Sequence, residues 1–369
     1  MVKKYLLVAV CAVMLSGCTV KLPVGNPAPT GSVDPSDAFG KTVQPGSIWK
    51  SIDGGKLFEV KSRIDDTQSI AKADVLALSF HPTDHETLYI GTVDNGIFKT
   101  TDGAETWQPI AFPPKKIYSF ILDKNLPDER MFASGNIGDV GKVFRTDDGG
   151  ETWRAVYTEP SSGVVITILA QHPRDMSVIF AGTSTGTVVK STDGGETWKN
   201  VGRAVDGPIT DIVFDAAKQY FLYAFSFGGK VYFSEDGGLT WQNVATDPPK
   251  DSGLLKIPDG LLSITVDPSI SGRVYGTTTG GLYRSDNFGV GWKKLNIIES
   301  AEKLPIRSVA VNPTNASEIV FTAGSVFYKS INGGETWSVV DVYIDRSVSV
   351  LAYDPSETQT IYMMLRKIK

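Results

Sequence analysis

Cysteine is almost missing from this chain. Its 369 residues hold two, Cys11 and Cys18. Beyond residue 18 there is no disulfide, no thiol nucleophile and no cysteine metal site. Histidine is nearly as scarce, with only His81, His85 and His172, which leaves little for a zinc or histidine-based catalytic centre. No concentrated basic run occurs, and Asp plus Glu (41) exceed Lys plus Arg (36), for a net charge of −5. A surface that tracks phosphates needs a basic stripe, so the sequence argues against nucleic acid as a partner. What abounds is glycine (37) and aromatic residues, with 13 Tyr, 17 Phe and 7 Trp. That mix favours turns and strands over long helices.

The first residues, MVKKYLLVAVCAVMLSGC, carry a charged start at Lys3 and Lys4 and an apolar stretch from Tyr5 to Leu15. The stretch is too short for a stable spanning helix and reads as a signal peptide over 1–17. Leu15-Ser16-Gly17-Cys18 resembles the bacterial lipobox. The resemblance implies acylation of Cys18 and a membrane anchor on the extracytoplasmic side. Thr19 stands where such lipoproteins carry an inner-membrane retention Asp, which favours an outer membrane in a cell that has one. Residues 18–45, rich in Pro, Gly, Ser and Thr, read as a flexible tether.

From residue 46 to the end one unit recurs. Ser191-Thr-Asp-Gly-Gly-Glu-Thr-Trp198 has copies at Thr100–Trp107, Thr146–Trp153, Ser234–Trp241, Ser285–Trp292 and Ser330–Trp337, and a worn one at Ser51–Phe58. The third position is Asp53, Asp102, Asp148, Asp193, Asp236, Asn287 and Asn332, at spacings of 49, 46, 45, 43, 51 and 45 residues. That is the length of one four-stranded propeller blade. The residue types suit a tight turn: the Asp or Asn oxygen accepts backbone N–H groups, and the glycines take positive φ. A short strand precedes each box. Upstream of it lies a strand centred on an aromatic residue in every copy: Tyr89, Phe132, Phe180, Tyr223, Tyr275, Phe321 and Tyr362. Still further upstream an innermost strand often ends in a polar residue and Pro, as in His81-Pro82 and His172-Pro173. These two histidines therefore read as turn residues, and His85 as a surface-loop residue.

Residues 46–60 supply only the third and fourth strands of a unit, and the stretch after Trp337 supplies only the first and second. The two halves complete one blade and remove an open sheet edge. The expected fold is all-β: a single seven-bladed β-propeller of four-stranded antiparallel blades over 46–369, the last closed by N- and C-terminal strands.

The copies resemble the Asp box, or BNR repeat, of sialidase-like and sortilin-like propellers. By size, anchoring and box number the chain resembles the photosystem II assembly/stability-factor-like proteins, single propellers that act as non-catalytic scaffolds. The resemblance implies a protein partner, or else a glycan, and no cofactor or metal. The competing reading is a sialidase- or xyloglucanase-like glycoside hydrolase. The Arg-Ile-Pro element of sialidases is absent, since Leu304-Pro-Ile-Arg307 has the wrong order. A carboxylate pair separated for glycoside cleavage is a property of the fold and stays open.

Seven equal turns describe architecture, so the box residues read as structural. Binding residues are expected on the opposite face, from the long connections 60–74 and 246–259 and the entrances of the innermost strands. The candidates are Arg63, Asp65, Lys72, Lys116, Asp211, Lys250, Lys256, Arg307 and Arg346. Asp211 is the one acid within an innermost strand, without an evident partner. No catalytic residue is assigned.

Overall fold

The computed structural model describes residues 45–114, 116–244, 248–297 and 304–367. The expected signal peptide, Cys18 and nearly all of the expected tether lie outside the described residues. Within them, strands form seven four-stranded antiparallel sheets. Blade 3 shows the plan: strand A is Ile166–Gln171, B is Ile179–Thr183, C is Thr187–Ser191 and D is Lys199–Arg203. Blades 1 to 6 follow the chain. Blade 7 joins Ser347–Tyr353 (A) and Ile361–Arg366 (B) to Ile48–Ser51 (C) and Glu59–Val60 (D). The ladder across that join runs Ile48↔Met364, Trp49↔Met363, Lys50↔Tyr362 and Ser51↔Ile361. Each A strand touches the A strand of the next blade, and that of blade 7 touches that of blade 1. The ring is closed.

The aromatic column lies on the B strands, and all seven of its rings are at most 1% exposed. Each such ring contributes roughly 2–3 kcal/mol by leaving water. Packing against the next blade explains a glycine in the box. A Cβ on Gly238, whose φ is +85°, would stand 2.6 Å from the ring of Phe180 in the preceding blade. Blade 1 carries Ala104 in the equivalent place and holds it at φ 76°.

The box turn is built alike seven times. In the first copy the Ser51 hydroxyl donates to Asp53 Oδ1 at 2.8 Å and accepts from Gly55 N–H at 2.9 Å. The residue after the Asp or Asn, Phe288 in blade 5 and glycine in the others, donates its N–H to a carbonyl of the A–B turn in its own blade. The polar residue closing strand A holds that A–B turn. Asp215 Oδ1 accepts from Lys218 N–H at 2.9 Å, and His172 Nδ1 does the same work for Asp175 N–H at 2.9 Å. His81 Nδ1 likewise accepts from Asp84 N–H at 3.0 Å, so both histidines are turn residues. His85, half-exposed, faces Glu86 at 3.1 Å.

A basic residue on strand C fastens five of the seven seams by donating to a box carbonyl of the next blade. The pairs are Lys50–Gly103, Arg145–Gly194, Lys190–Gly237, Arg284–Gly333 and Lys329–Gly54. At the seam between blades 4 and 5 the column holds Phe233 instead. Phe233 stacks on Phe221 with centroids 5.5 Å apart, and Phe221 packs against Phe288 at 4.7 Å. Nearer the axis, hydroxyls join neighbouring A strands: Ser349 Oγ donates to Val75 O at 2.7 Å, from blade 7 to blade 1.

Candidate functional site

The A–B and box turns share one end of the ring, and the B–C turns and D–A connections share the other. At the second end the innermost strands carry a bulge near their start, for example between Ile209 and Asp211 and between Ile306 and Val309. The bulge turns Thr210 and the Arg307–Ser308 pair out of the regular alternation. A mouth lined by these positions surrounds the axis.

Asp211 stands on the blade 4 wall of this mouth. Protein encloses it, yet it keeps some accessible surface; both hold for a side chain facing a narrow axial channel. Burial pushes its carboxyl up to about 6, against one backbone hydrogen bond from Ile212. No charged group, acid or base, acts on it among the described residues. Asp211 therefore has the acidity of a general acid, but among the described residues no second carboxylate acts on it as in a glycosidase pair.

Arg307 lies across the mouth on blade 6, half-buried, with its Nε buried and without an acceptor among the described residues. Lys116 is exposed at the blade 2 entrance, 5.1 Å from the Tyr118 ring centroid. Lys72 is exposed beside Ala71 and Ala73, whose carbonyls accept from Arg346.

Arg346 is a correction to the sequence reading. Its side chain is 4% exposed. It donates to the carbonyls of Gly46, Ala71 and Ala73, with Asp74 at 3.7 Å and Asp345 at 3.4 Å. It pins blade 7 to the connection entering blade 1 and is not free for a ligand.

The long connections bring a second correction. In their described parts, Lys61, Arg63 and Leu255 lie against the closing Trp of the next blade's box rather than over the mouth. Trp107 donates its backbone N–H to Arg63 O at 2.9 Å and its indole N–H to Lys61 O at 2.8 Å. Leu255 exchanges both backbone hydrogen bonds with Trp292, at 2.8 and 2.9 Å. These straps explain why Trp107 and Trp292 are fully buried while Trp153, Trp198, Trp241 and Trp337 are only partly so. Arg63 and Asp65 sit on the rim by blade 1, Arg63 facing Asp66 at 3.6 Å. An open 430 Å³ groove there is lined by Lys61, Arg63, Asp65 and Glu105. Lys250 and Lys256, both exposed, belong to the rim strap of blade 5.

Arg366 and Asp74 belong to the mouth and were missed. Arg366 lies four residues beyond the aromatic Tyr362, where the other copies carry Val93, Asn136, Ser184, Phe227, Thr279 and Ser325. A cation in that column was the available signal. Burial holds its guanidinium below the ordinary range; the nearby Asp74 carboxylate pulls the other way, more strongly than Arg307 pushes down.

The box carboxylates have their valences filled within their turns. The Thr146 hydroxyl, then that of Thr152, hold Asp148 down to about 2. The Thr197 hydroxyl does so for Asp193, also to about 2. At Asp236 burial works upward, but Thr240 and the Ser234 hydroxyl outweigh it and leave the carboxyl at about 2. Among the described residues no group of three or more His, Cys, Asp or Glu is placed to hold a metal ion.

No protein-family model matches the chain, and no curated protein does. Solved structures share its fold. The GH74 xyloglucanase from Xanthomonas campestris superposes with a TM-score of 0.63 and 19% identity, over 86% of this chain and 52% of that one. The chain thus spans about half the length of that enzyme, and likewise 51% of the Niastella koreensis GH74 enzyme, at TM-score 0.59 and 17% identity. A YCF48 structure bound to a D1 peptide gives a TM-score of 0.61 at 17% identity, over 81% of this chain and 94% of that one. By fold, then, this chain is a seven-bladed β-propeller similar both to whole YCF48 and to half of a GH74 enzyme.

Proposed function

We propose that this chain is a lipoprotein, acylated at Cys18 and tethered outside the cytoplasmic membrane, whose Asp-box propeller scaffolds a protein partner without chemistry of its own. The observation that carries this reading is the composition of the loop-side mouth. It presents unpaired charge at Arg307 and Lys116 beside exposed apolar side chains, Phe227 (77%), Ile137 (52%) and Leu304 (42%). Strand ends and the turns and connections beside them hold that mixture, which suits a protein surface better than a small polar substrate. The likeness to YCF48, solved with a D1 peptide and matched over nearly its whole length, supports a peptide or protein partner.

The test is photocrosslinking in intact membranes, with the crosslinking residue at Phe227 or Lys116 on the mouth and at Ile331 on the box face. A discrete adduct from the mouth positions alone is expected. An adduct from Ile331 alone overturns the choice of face. Cys18→Ser should release the protein from membranes into the soluble fraction. Release of reducing sugar from a β-glucan, lost in Asp211→Asn, would overturn the non-catalytic reading.

A further inference from the structure

We propose that the seam closing the ring carries, at its box end, a binding site for an alkylammonium group. The site is a pocket of about 280 Å³ between blades 7 and 1. Blade 7 supplies Ile52, Asp354, Glu357 and Tyr362, and the A–B turn of blade 1 supplies His85 and Glu86. The pocket lies at the opposite end from the mouth and does not depend on the partner reading above.

The polar residue that closes strand A holds the A–B turn with one of its atoms, and in six blades its other atom is engaged too. His172 Nε2 donates to Gln219 O of the next blade at 2.7 Å, and Asp215 Oδ2 accepts from Gly272 N–H of the next blade at 2.7 Å. His81 Nε2 lies 3.5 Å from Asp128 of blade 2. Asp123 and Asp267 each face an arginine, Arg130 at 3.5 Å and Arg273 at 3.7 Å. Asn312 Nδ2 donates to Glu318 at 3.3 Å. Asp354 is the exception. Its Oδ1 accepts from the Ser356 and Glu357 N–H groups at 2.8 and 3.0 Å, while its Oδ2 has neither a hydrogen bond nor an ion pair among the described residues. Yet the residue is only 2% exposed. Where blades 4 and 5 offer a carbonyl and an N–H to their neighbours, blade 1 puts His85 and Glu86 on the pocket wall, facing each other at 3.1 Å.

A second buried group is in the same condition. Tyr362 is 1% exposed and lines the pocket, and its hydroxyl makes no hydrogen bond among the described residues. Burial, and then the charges of Asp354, Glu86 and Glu105, push its phenol above the ordinary range, so it keeps its proton and its oxygen accepts. A carboxylate oxygen and a hydroxyl withdrawn from water without partners are costly unless a ligand supplies donors.

The charge balance calls for a cation. Asp354, Glu357 and Glu86 share the pocket with one lysine, Lys50, whose Nζ already donates to Gly103 O at 2.8 Å. Because Asp354 Oδ1 is taken, its carboxylate cannot answer a guanidinium with two parallel bonds. Single oxygens from two side chains suit the divergent N–H groups of an ammonium. Ile52, 71% exposed, stands where other boxes carry Thr101, Asp147, Thr192, Glu235 and Asp286. It offers apolar contact to the alkyl stem.

The experiment is a ligand-observed NMR titration of the purified full-length chain at low salt. The probes are n-butylammonium, n-butanol and the peptide Ac-Gly-Lys-Gly-NH2, with calcium chloride as a competitor. Butylammonium should bind at least about tenfold more tightly than butanol. Asp354→Asn should remove that preference while keeping the turn, as Asn312 does in blade 6. Tyr362→Phe, the residue that blades 2, 3 and 6 carry in this column, should weaken the ammonium about threefold, and so should Glu357→Gln on an exposed side chain. Glu335→Gln, on the box of blade 6, should change nothing. Melting temperatures followed alongside separate lost binding from lost fold, and Glu357→Gln should weaken binding without moving the melt. Tighter binding of the peptide assigns the stem to a partner's lysine, and tighter binding of butylammonium assigns a free amine; either supports the site. Equal binding of butylammonium and butanol, no binding of either, an unchanged preference in Asp354→Asn, or displacement by equimolar calcium overturns it.

Discussion

The backbone N–H of Gly54 donates to the carbonyl of Gln359 at 2.8 Å, joining the first box of the chain to its last A–B turn. The same bond occurs within every other blade, so the shared blade is built to the common plan although its strands come from opposite ends. Arg346 reinforces this closure from the mouth side. Arg346→Met should remove three hydrogen bonds to buried or partly buried carbonyls and the 3.7 Å ion pair with Asp74. A loss of about 3 kcal/mol is expected, seen as a lower urea midpoint with an unchanged slope.

Ala104 carries a side chain where the repeat wants none. Ala104→Gly should stabilise the fold by about 1 kcal/mol, since φ 76° is disfavoured for alanine. The reverse change at Gly238 meets both the backbone and the Phe180 ring. Gly238→Ala should destabilise by about 3 kcal/mol, and denaturant melts of the two variants should move in opposite directions.

Asp211 gives a pH dependence of defined sign. Its folded-state carboxyl titrates near 6, above the unfolded value of about 3.9. Its contribution is therefore complete below pH about 4 and is lost as pH rises through about 6. Asp211→Asn should be more stable than the parent at pH 7.5 by about 2 kcal/mol, and the two should converge below pH about 4. Unfolding melts across that range check it.

The box acids act in the opposite sense. Asp148, Asp193 and Asp236 titrate near 2 in the folded chain. Their stabilisation is present above the unfolded value of about 3.9 and is lost as pH falls towards 2. Replacing all three by Asn, the residue that blades 5 and 6 already use, should flatten the acid limb of the stability curve. Melting temperatures at pH 2.5, 4 and 6 would show it.

His172 does two jobs, and two substitutions separate them. Its Nδ1 holds the A–B turn, and its Nε2 donates to Gln219 O of blade 4 at 2.7 Å. His172→Asn keeps an acceptor for the turn, as Asn312 does in blade 6, and should lose about 1 kcal/mol. His172→Leu strands the turn N–H groups as well and should lose about 3 kcal/mol. Equal losses in equilibrium unfolding would show that the turn does not depend on the acceptor.

The fold was legible because it is written seven times. Ser51, Asp53, Gly54 and Gly55 recur as a set, and the aromatic at Tyr89 recurs at every unit, so one blade explains the rest. The mouth was legible only in part. Asp211 and Arg307 stand out as charges within strands, but the fate of Arg346 depends on three carbonyls far away in sequence. The path of the 60–74 connection was hidden because it is set by Trp107, a residue of the next blade. Arg366 escaped notice because its column is variable and the charges that act on it, Asp74 and then Arg307, come from distant parts of the sequence.

Phe233 has a thermal consequence. Cation-to-carbonyl fastenings lose little grip in the cold, whereas an apolar joint weakens as water's aversion to hydrocarbon fades on cooling. The cluster of Phe221, Phe233 and Phe288 thus makes one joint of the toroid behave unlike its fellows. On cooling this cluster should loosen first, while Asp215, which accepts from the Ser271 hydroxyl and the Gly272 N–H across the same joint, keeps the fourth and fifth sectors together.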